Sequence, residues 1–290
     1  MTNSEIKMPE DAADCHIHVF GPAELYPLAP SRRYTPGEAS FAQYRIMADK
    51  VGLQRVVLVQ PSPYGADNRC LLDTLRDAGP QARGVAVIDA ATSEANLDLL
   101  HEAGVRGVRL NAESYGLADA QVIGADLREL ARRVHRLGWH IQIFASLHAI
   151  AALAPVILSL DVSVVIDHMG LAQANRSLQD PAFLTLLSLI ESGTWIKLSA
   201  AYRISAAEPE FADVEQIASS IIMANPQRVL WGSDWPHTGK HAGGNSDPNA
   251  TLNYRSIDNA RMLSLLAKWA GKQEQFDKIL VKNPSVLYGF

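Results

Sequence analysis

Short apolar or β-branched runs recur along the chain between longer stretches in which apolar residues return every three or four positions. The runs predict strands over Ala13–Phe20, Arg55–Gln60, Arg83–Asp89, Val105–Asn111, Trp139–Phe144, Val162–His168, Trp195–Ser199 and Val229–Asp234. Most of the stretches between them have the spacing of amphipathic helices: Asp67–Ala78, Ser93–Ala103, Gly124–Leu137, Leu147–Ser159, Gln179–Glu191 and Phe211–Ala224. Gly104, Gly138 and Gly193 stand where a helix must stop before the next strand. Residues Val162–Ile166 are almost continuously apolar, as in a parallel strand covered on both faces. Strands alternating with helices in this number predict an α/β fold, a distorted (β/α)8 TIM barrel rather than an open sheet. No linker, charge block or compositional break divides residues 1–290, which are read as a single domain.

Two segments break the repeat. Residues 20–37, rich in proline and glycine, follow strand one, and residues 237–253 follow strand eight. In a barrel both overhang the C-terminal end, where loops build active sites, and the second is a candidate lid.

Composition narrows the partners. The 290 residues are 48% apolar and 20% charged, which fits a globular chain able to fold without disulfides or metals. A net charge of −5 without a basic cluster argues against nucleic acid and against membrane surfaces. Cys15 and Cys70 are too few for a disulfide framework. The opening residues lack the apolar stretch of a signal peptide, and the run Ile150–Leu160 is too short to span a bilayer. A cytoplasmic enzyme of small molecules is the resulting expectation; the oligomeric state is left open.

Ionisable residues gather at the strand ends. Strand one carries His16 and His18, strand two runs into Ser62, strand four carries Arg109, and strand six ends in Asp167-His168. Arg203 follows strand seven and Asp234 ends strand eight. Groups from several strand ends converging on one mouth is the arrangement of barrel enzymes. His16 and His18, two apart, project to one face of a strand, and the first and last strands become neighbours when a barrel closes. With Asp234 the pair forms either a divalent-metal triad or a hydrogen-bonded cluster. Asp234 ends an apolar run, where a carboxylate must be paired or functional, and it suits a general base toward water. His168 is placed to polarise a carbonyl. Arg109 and Arg203 offer rigid forks for a carboxylate, with Tyr34 and Ser62 as neutral donors. Arg106 is read as structural, as are His101, His135 and His140; His148 and His241 are ambiguous. The signatures GxSxG, GxGxxG, HExxH and the P-loop are absent from the sequence.

Through the HxH of strand one and the aspartate of strand eight, the chain resembles the amidohydrolase superfamily. The stretches DCHIHVFGP, VLVQPSPYGADN, RGVAVIDA, GVRGVRLN, VVIDHMG and VLWGSDWPH narrow the likeness to the branch of the 2-pyrone-4,6-dicarboxylate lactonases and related lactone hydrolases. This resemblance implies a distorted barrel that hydrolyses a lactone from aromatic or sugar-acid catabolism. It implies that Asp234 activates water and that His16, His18 and His168 serve the carbonyl. Tyr34, Ser62, Arg109 and Arg203 would contact a substrate carboxylate. Three positions depart from the pattern: Phe144 stands for a tyrosine, and Tyr115 and Leu171 stand for arginines. A pocket with fewer cations suits a lactone with one carboxylate. The branch is described as working without a metal while other superfamily members bind zinc or manganese, so the cofactor expectation is either none or one such ion, held by His16, His18 and Asp234. A metal-dependent decarboxylase is the alternative activity, and an idle carboxylate-binding barrel the alternative from another class.

Overall fold

The computed structural model describes residues 6–116, 119–175, 178–239 and 248–290, the side chain of Tyr115 excepted. Parallel strands follow one another around a single sheet in chain order: β1 (Ala13–Ile17), β2 (Arg55–Val59), β3 (Ala82–Ala86), β4 (Val105–Asn111), β5 (His140–Phe144), β6 (Val164–Ile166), β7 (Trp195–Ser199) and β8 (Val229–Gly232). The chain past β8 returns to β1 through a parallel bridge between Ile17 and Trp235. Main-chain hydrogen bonds at that joint run from Asp234 N to His16 O (2.9 Å) and from His18 N to Trp235 O (2.8 Å). The expected TIM-barrel-like domain is therefore present, nearly closed, with an irregular final joint.

Alternation along the strands separates two cores. Val56, Leu58, Ile141, Ile143, Ile196 and Leu198 face outward into the shell between sheet and helices. Val57, Val59, Val85, Val165, Trp195 and Leu230 fill the interior, with Tyr288 from the C-terminal segment among them. Each such buried side chain contributes roughly 1.5–3 kcal/mol by leaving water.

The helices differ from the expected ones at their caps. The helix expected from Gly124 begins at Ala120, because the Asp119 side chain accepts the amides of Gln121 and Val122. Leu147–Ser159 is two helices, Leu147–Ala152 and Ala154–Ser159, since Pro155 can enter a first turn but cannot continue an existing helix. The segment from Phe211 is a 3-10 turn, Ala212–Val214, before the helix Glu215–Ala224. Two further helices complete the repeat. Phe41–Val51 is closed by a Ser40–Gln43 capping box and by Gly52 in the left-handed region, and Asn259–Ala270 is capped by Asp258.

The strands expected to run to His168 and Asp234 stop at Ile166 and Gly232. His168 (φ 51°) and Asp234 (φ 61°) are both left-handed, which ends the pleat and redirects the side chains. The two long loops meet above these ends. Thr35–Pro36 pairs with Thr251–Leu252, Thr35 Oγ1 donates to Pro248 O, and Arg32 reaches Asn249. Residues 240–247 of the expected lid, His241 included, lie outside the described residues. No helix among the described residues is long and apolar enough to cross a membrane.

Candidate active site

The site starts from a register shift in β1. Between Asp14 and Ile17 this strand advances three residues while β2 advances from Val56 to Leu58, so one residue is extra. Ala13 and Cys15 face the interior before the bulge, and His16 and His18 face it afterwards. The sequence correctly puts both histidines on one face; the bulge makes that face the inner one. Close approach of β8 is equally necessary: a Cβ on Gly232 would lie 2.6 Å from His16 Cβ.

Three imidazoles then surround one carboxylate oxygen. Asp234 Oδ1 lies 3.5 Å from His16 Nε2 and 3.8 Å from both His18 Nε2 and His168 Nε2. All four residues are buried. The other oxygen, Oδ2, is taken by donors from the turn after β7: Tyr202 OH (2.5 Å), Arg203 Nε (3.3 Å) and Arg203 Nη2 (3.2 Å). Arg203 Nη2 also donates to Thr238 Oγ1 at 3.0 Å. Oδ1 has no hydrogen-bond partner, so the carboxylate presents one committed and one available oxygen.

Each imidazole is anchored from behind. His18 Nδ1 lies 2.7 Å from Val59 O, which can only accept, so Nδ1 carries the proton and Nε2 presents a lone pair. His168 Nδ1 meets Ser199 Oγ at 2.8 Å. His16 Nδ1 sits between Asp167 Oδ1 (3.3 Å) and Lys197 Nζ (3.4 Å). Lys197 donates to Gln142 Oε1 (2.6 Å), and Gln142 Nε2 donates to Asp167 Oδ2 (2.9 Å).

Burial governs the charges. It holds the imidazoles neutral, with His18 lowered to about 3, His168 to about 4 and His16 well below its ordinary value. Burial alone would raise Asp234, but the Arg203 guanidinium against Oδ2 outweighs it and keeps the carboxylate ionised. Asp167 is likewise pushed up by burial and brought down further by the Lys197 ammonium, 3.7 Å from its Oδ1.

The four anion-binding candidates come together beside this cluster. Tyr34 and Ser62 are hydrogen-bonded to each other, and burial pushes the Tyr34 hydroxyl up to about 12 against the pull of Arg109, Ser62 and Arg203. Arg109 donates to Gln60 O at 3.3 Å, while its buried Nε makes no hydrogen bond and lies 3.9 Å from Asp167 Oδ2. Phe144 stands between the two arginines, its ring centroid 5.8 Å from each guanidinium carbon. Leu171, at another departure position, packs against the hydrophobic shell.

His101, His135, His140 and His148 lie elsewhere. His101 accepts from Trp139 Nε1, His140 packs against Tyr288, and His135 and His148 are exposed. Arg106 bonds the carbonyls of His101 and Val105, as expected of a structural residue. Sequence reasoning missed Gln142, Lys197, Ser199 and Tyr202. Lys197 carried a readable signal, a charge in the middle of the apolar run WIKLS.

The donor set suits a divalent ion. An unpartnered, buried carboxylate oxygen facing three imidazole nitrogens offers the mixed N/O ligands that zinc or manganese take. The ligand atoms of His16, His18 and Asp234 lie within 4.8 Å of one another.

Comparison with known proteins agrees with this geometry. The family model described as amidohydrolase matches residues 13–290. The chain is 36% identical to a 2-pyrone-4,6-dicarboxylate hydrolase of Comamonas testosteroni, over 98% of this chain and 92% of that protein. It is 32% identical to a 4-sulfomuconolactone hydrolase of Hydrogenophaga intermedia, over 97% and 90%. The crystal structure of a probable 2-pyrone-4,6-dicarboxylic acid hydrolase from Acinetobacter baumannii superposes with a TM-score of 0.81 at 28% identity, covering 97% of this chain and 100% of that one. Family match, barrel and strand-end cluster coincide, and the chain belongs to the amidohydrolase family.

Proposed function

We propose that the protein hydrolyses a lactone bearing a carboxylate: 2-pyrone-4,6-dicarboxylate itself, or a related muconolactone or sugar-acid lactone. The observation that carries the reading is the asymmetry of Asp234. Tyr202 and Arg203 occupy Oδ2, leaving Oδ1 ionised and available among three neutral imidazoles. A water beside Oδ1 gives up a proton to it and adds to the lactone carbonyl. The His168 imidazole and the Nε2–H of His16 donate to the oxygen on which charge develops. The tetrahedral intermediate then collapses with cleavage of the ring C–O bond, and the proton held by Asp234 passes to the departing ring oxygen. Arg109, Tyr34 and Ser62 hold the substrate carboxylate, and Arg203 spans the anion pocket and Asp234.

The activities of two relatives, on a pyrone dicarboxylate and on a sulfomuconolactone, support a ring ester flanked by anions as the substrate class. If a divalent ion is held, His16, His18 and Asp234 would be its ligands, and it would supply Lewis-acid polarisation of the carbonyl. Buried free thiols at Cys15 and Cys70 suit a reducing, cytoplasmic setting.

The test is Asp234→Asn, assayed on a panel of carboxylated lactones. Turnover should fall by roughly 10²–10⁴-fold with the thermal transition still cooperative. Near-normal ring opening by this variant would overturn the proposal, and carbon dioxide release without ring opening would point to decarboxylation.

A further inference from the structure

Beneath the reaction centre, His16 Nδ1 faces two groups of opposite character. Asp167 Oδ1, 3.3 Å away, can only accept; the Lys197 ammonium, 3.4 Å away, can only donate. Both are fully buried, and the pair is bound into one unit by Gln142, which accepts from Lys197 and donates to Asp167. A neutral imidazole has one proton, so Nδ1 can satisfy one of these neighbours at a time. The ordinary anchor of an imidazole, as at His18 with Val59 O, selects one tautomer. His16 has been given a partner for each.

The far side of the ring shows which tautomer the metal-free cluster requires. His16 Nε2 lies 3.3 Å from His18 Nε2, a bare lone pair, and 3.5 Å from Asp234 Oδ1, an ionised oxygen. Two acceptors facing one nitrogen call for a proton on it. Nδ1 is then bare and accepts from Lys197, and Asp167 Oδ1 stays without a hydrogen-bond partner, as found. Coordination of a cation demands the opposite: Nε2 must be bare, and the proton belongs on Nδ1. Asp167 Oδ1 is already in place to receive it.

We infer that Lys197 and Asp167 are positioning residues that support alternative tautomers of His16, Lys197 the metal-free Nε2–H form and Asp167 the Nδ1–H form needed for a bound cation. The inference rests on reading the His16–Asp234 cluster as the reaction centre. Its test reads proton position and metal affinity rather than turnover, so the two readings can fail separately.

The experiment is nitrogen NMR of the full chain with ¹⁵N-labelled histidine, chelator-treated and then titrated with zinc, beside calorimetric zinc affinity. In the metal-free protein His16 should show a protonated Nε2 and a bare Nδ1; zinc should reverse this. Lys197→Met should move the proton to Nδ1 without metal and leave zinc affinity undiminished, whereas Lys197→Arg, which keeps a cationic donor, should retain the Nε2 proton. Asp167→Asn should weaken zinc binding by about 10–100-fold while the metal-free tautomer persists. A metal-free wild type already protonated at Nδ1, no measurable zinc binding by the wild type, or unchanged zinc affinity in a folded Asp167→Asn protein would each overturn the inference. Should Lys197→Met fail to fold, the wild-type spectra and the other two variants decide it.

Discussion

The main-chain carbonyl of His16 accepts the amide of Asp234 at 2.9 Å, so the joint that closes the barrel also joins the two halves of the proposed reaction centre. Their side chains meet inside, at 3.5 Å, from residues 218 positions apart (234 − 16) in the sequence. Distance between imidazole and carboxylate is set by barrel closure itself, with no flexible loop between. A perturbation of the β1–β8 contact should therefore reach chemistry before it reaches global stability.

Gly232→Ala tests that link. The new methyl would lie 2.6 Å from His16 Cβ and 2.9 Å from its amide nitrogen, both on a strand that cannot easily retreat. Overpacking of this kind costs about 1–3 kcal/mol. Denaturant titration should show a loss in that range, and steady-state assay should show a fall in kcat larger than that loss would explain through unfolding.

Tyr202→Phe should separate orientation from binding. Without the phenol, Asp234 Oδ2 retains only Arg203, and the carboxylate is free to turn its available oxygen from the imidazoles. Loss of a buried hydrogen bond to a charged group is worth about 1.5–3 kcal/mol. On a substrate of the proposed class, kcat should drop on the order of tenfold or more, with KM little changed.

Arg109 should behave in the opposite way. Its guanidinium stands at the proposed anion pocket rather than against Asp234, and its buried Nε makes no hydrogen bond, with Asp167 Oδ2 3.9 Å away. Arg109→Lys keeps the charge and removes the planar fork, so KM should rise while kcat falls less. A variant losing only kcat would place the substrate carboxylate elsewhere.

Asp14 supplies a stability signature. Burial raises its carboxyl from 3.8 to about 6, despite hydrogen bonds from the Ser233 and His16 amides. A folded-state value above the unfolded one means that the native protein holds this proton more tightly. The associated stability is full below the unfolded value and is lost as pH rises through about 6. Asp14→Asn keeps an oxygen for the two amides and removes the titration. Between pH 4 and 7 its unfolding free energy should gain on the wild type by up to about 3 kcal/mol, read from denaturation at each pH.

By itself the sequence determined the repeat and the inventory. Apolar runs alternating with helical spacing specify strands and helices because both periods are local, and eight of them suffice for a barrel. The two-residue spacing of His16 and His18 likewise specifies a shared face. Tertiary structure decided which face that is, through the bulge between Asp14 and Ile17. It decided that the side chain of Arg203, a free fork in the sequence, is engaged by Asp234 and Thr238. It also assembled His16, Gln142 and Lys197 from three strands, and Asp167 from just past a fourth, into one buried network. Those relationships depend on closure of the barrel and on charges sharing a space without water, and a one-dimensional pattern carries neither.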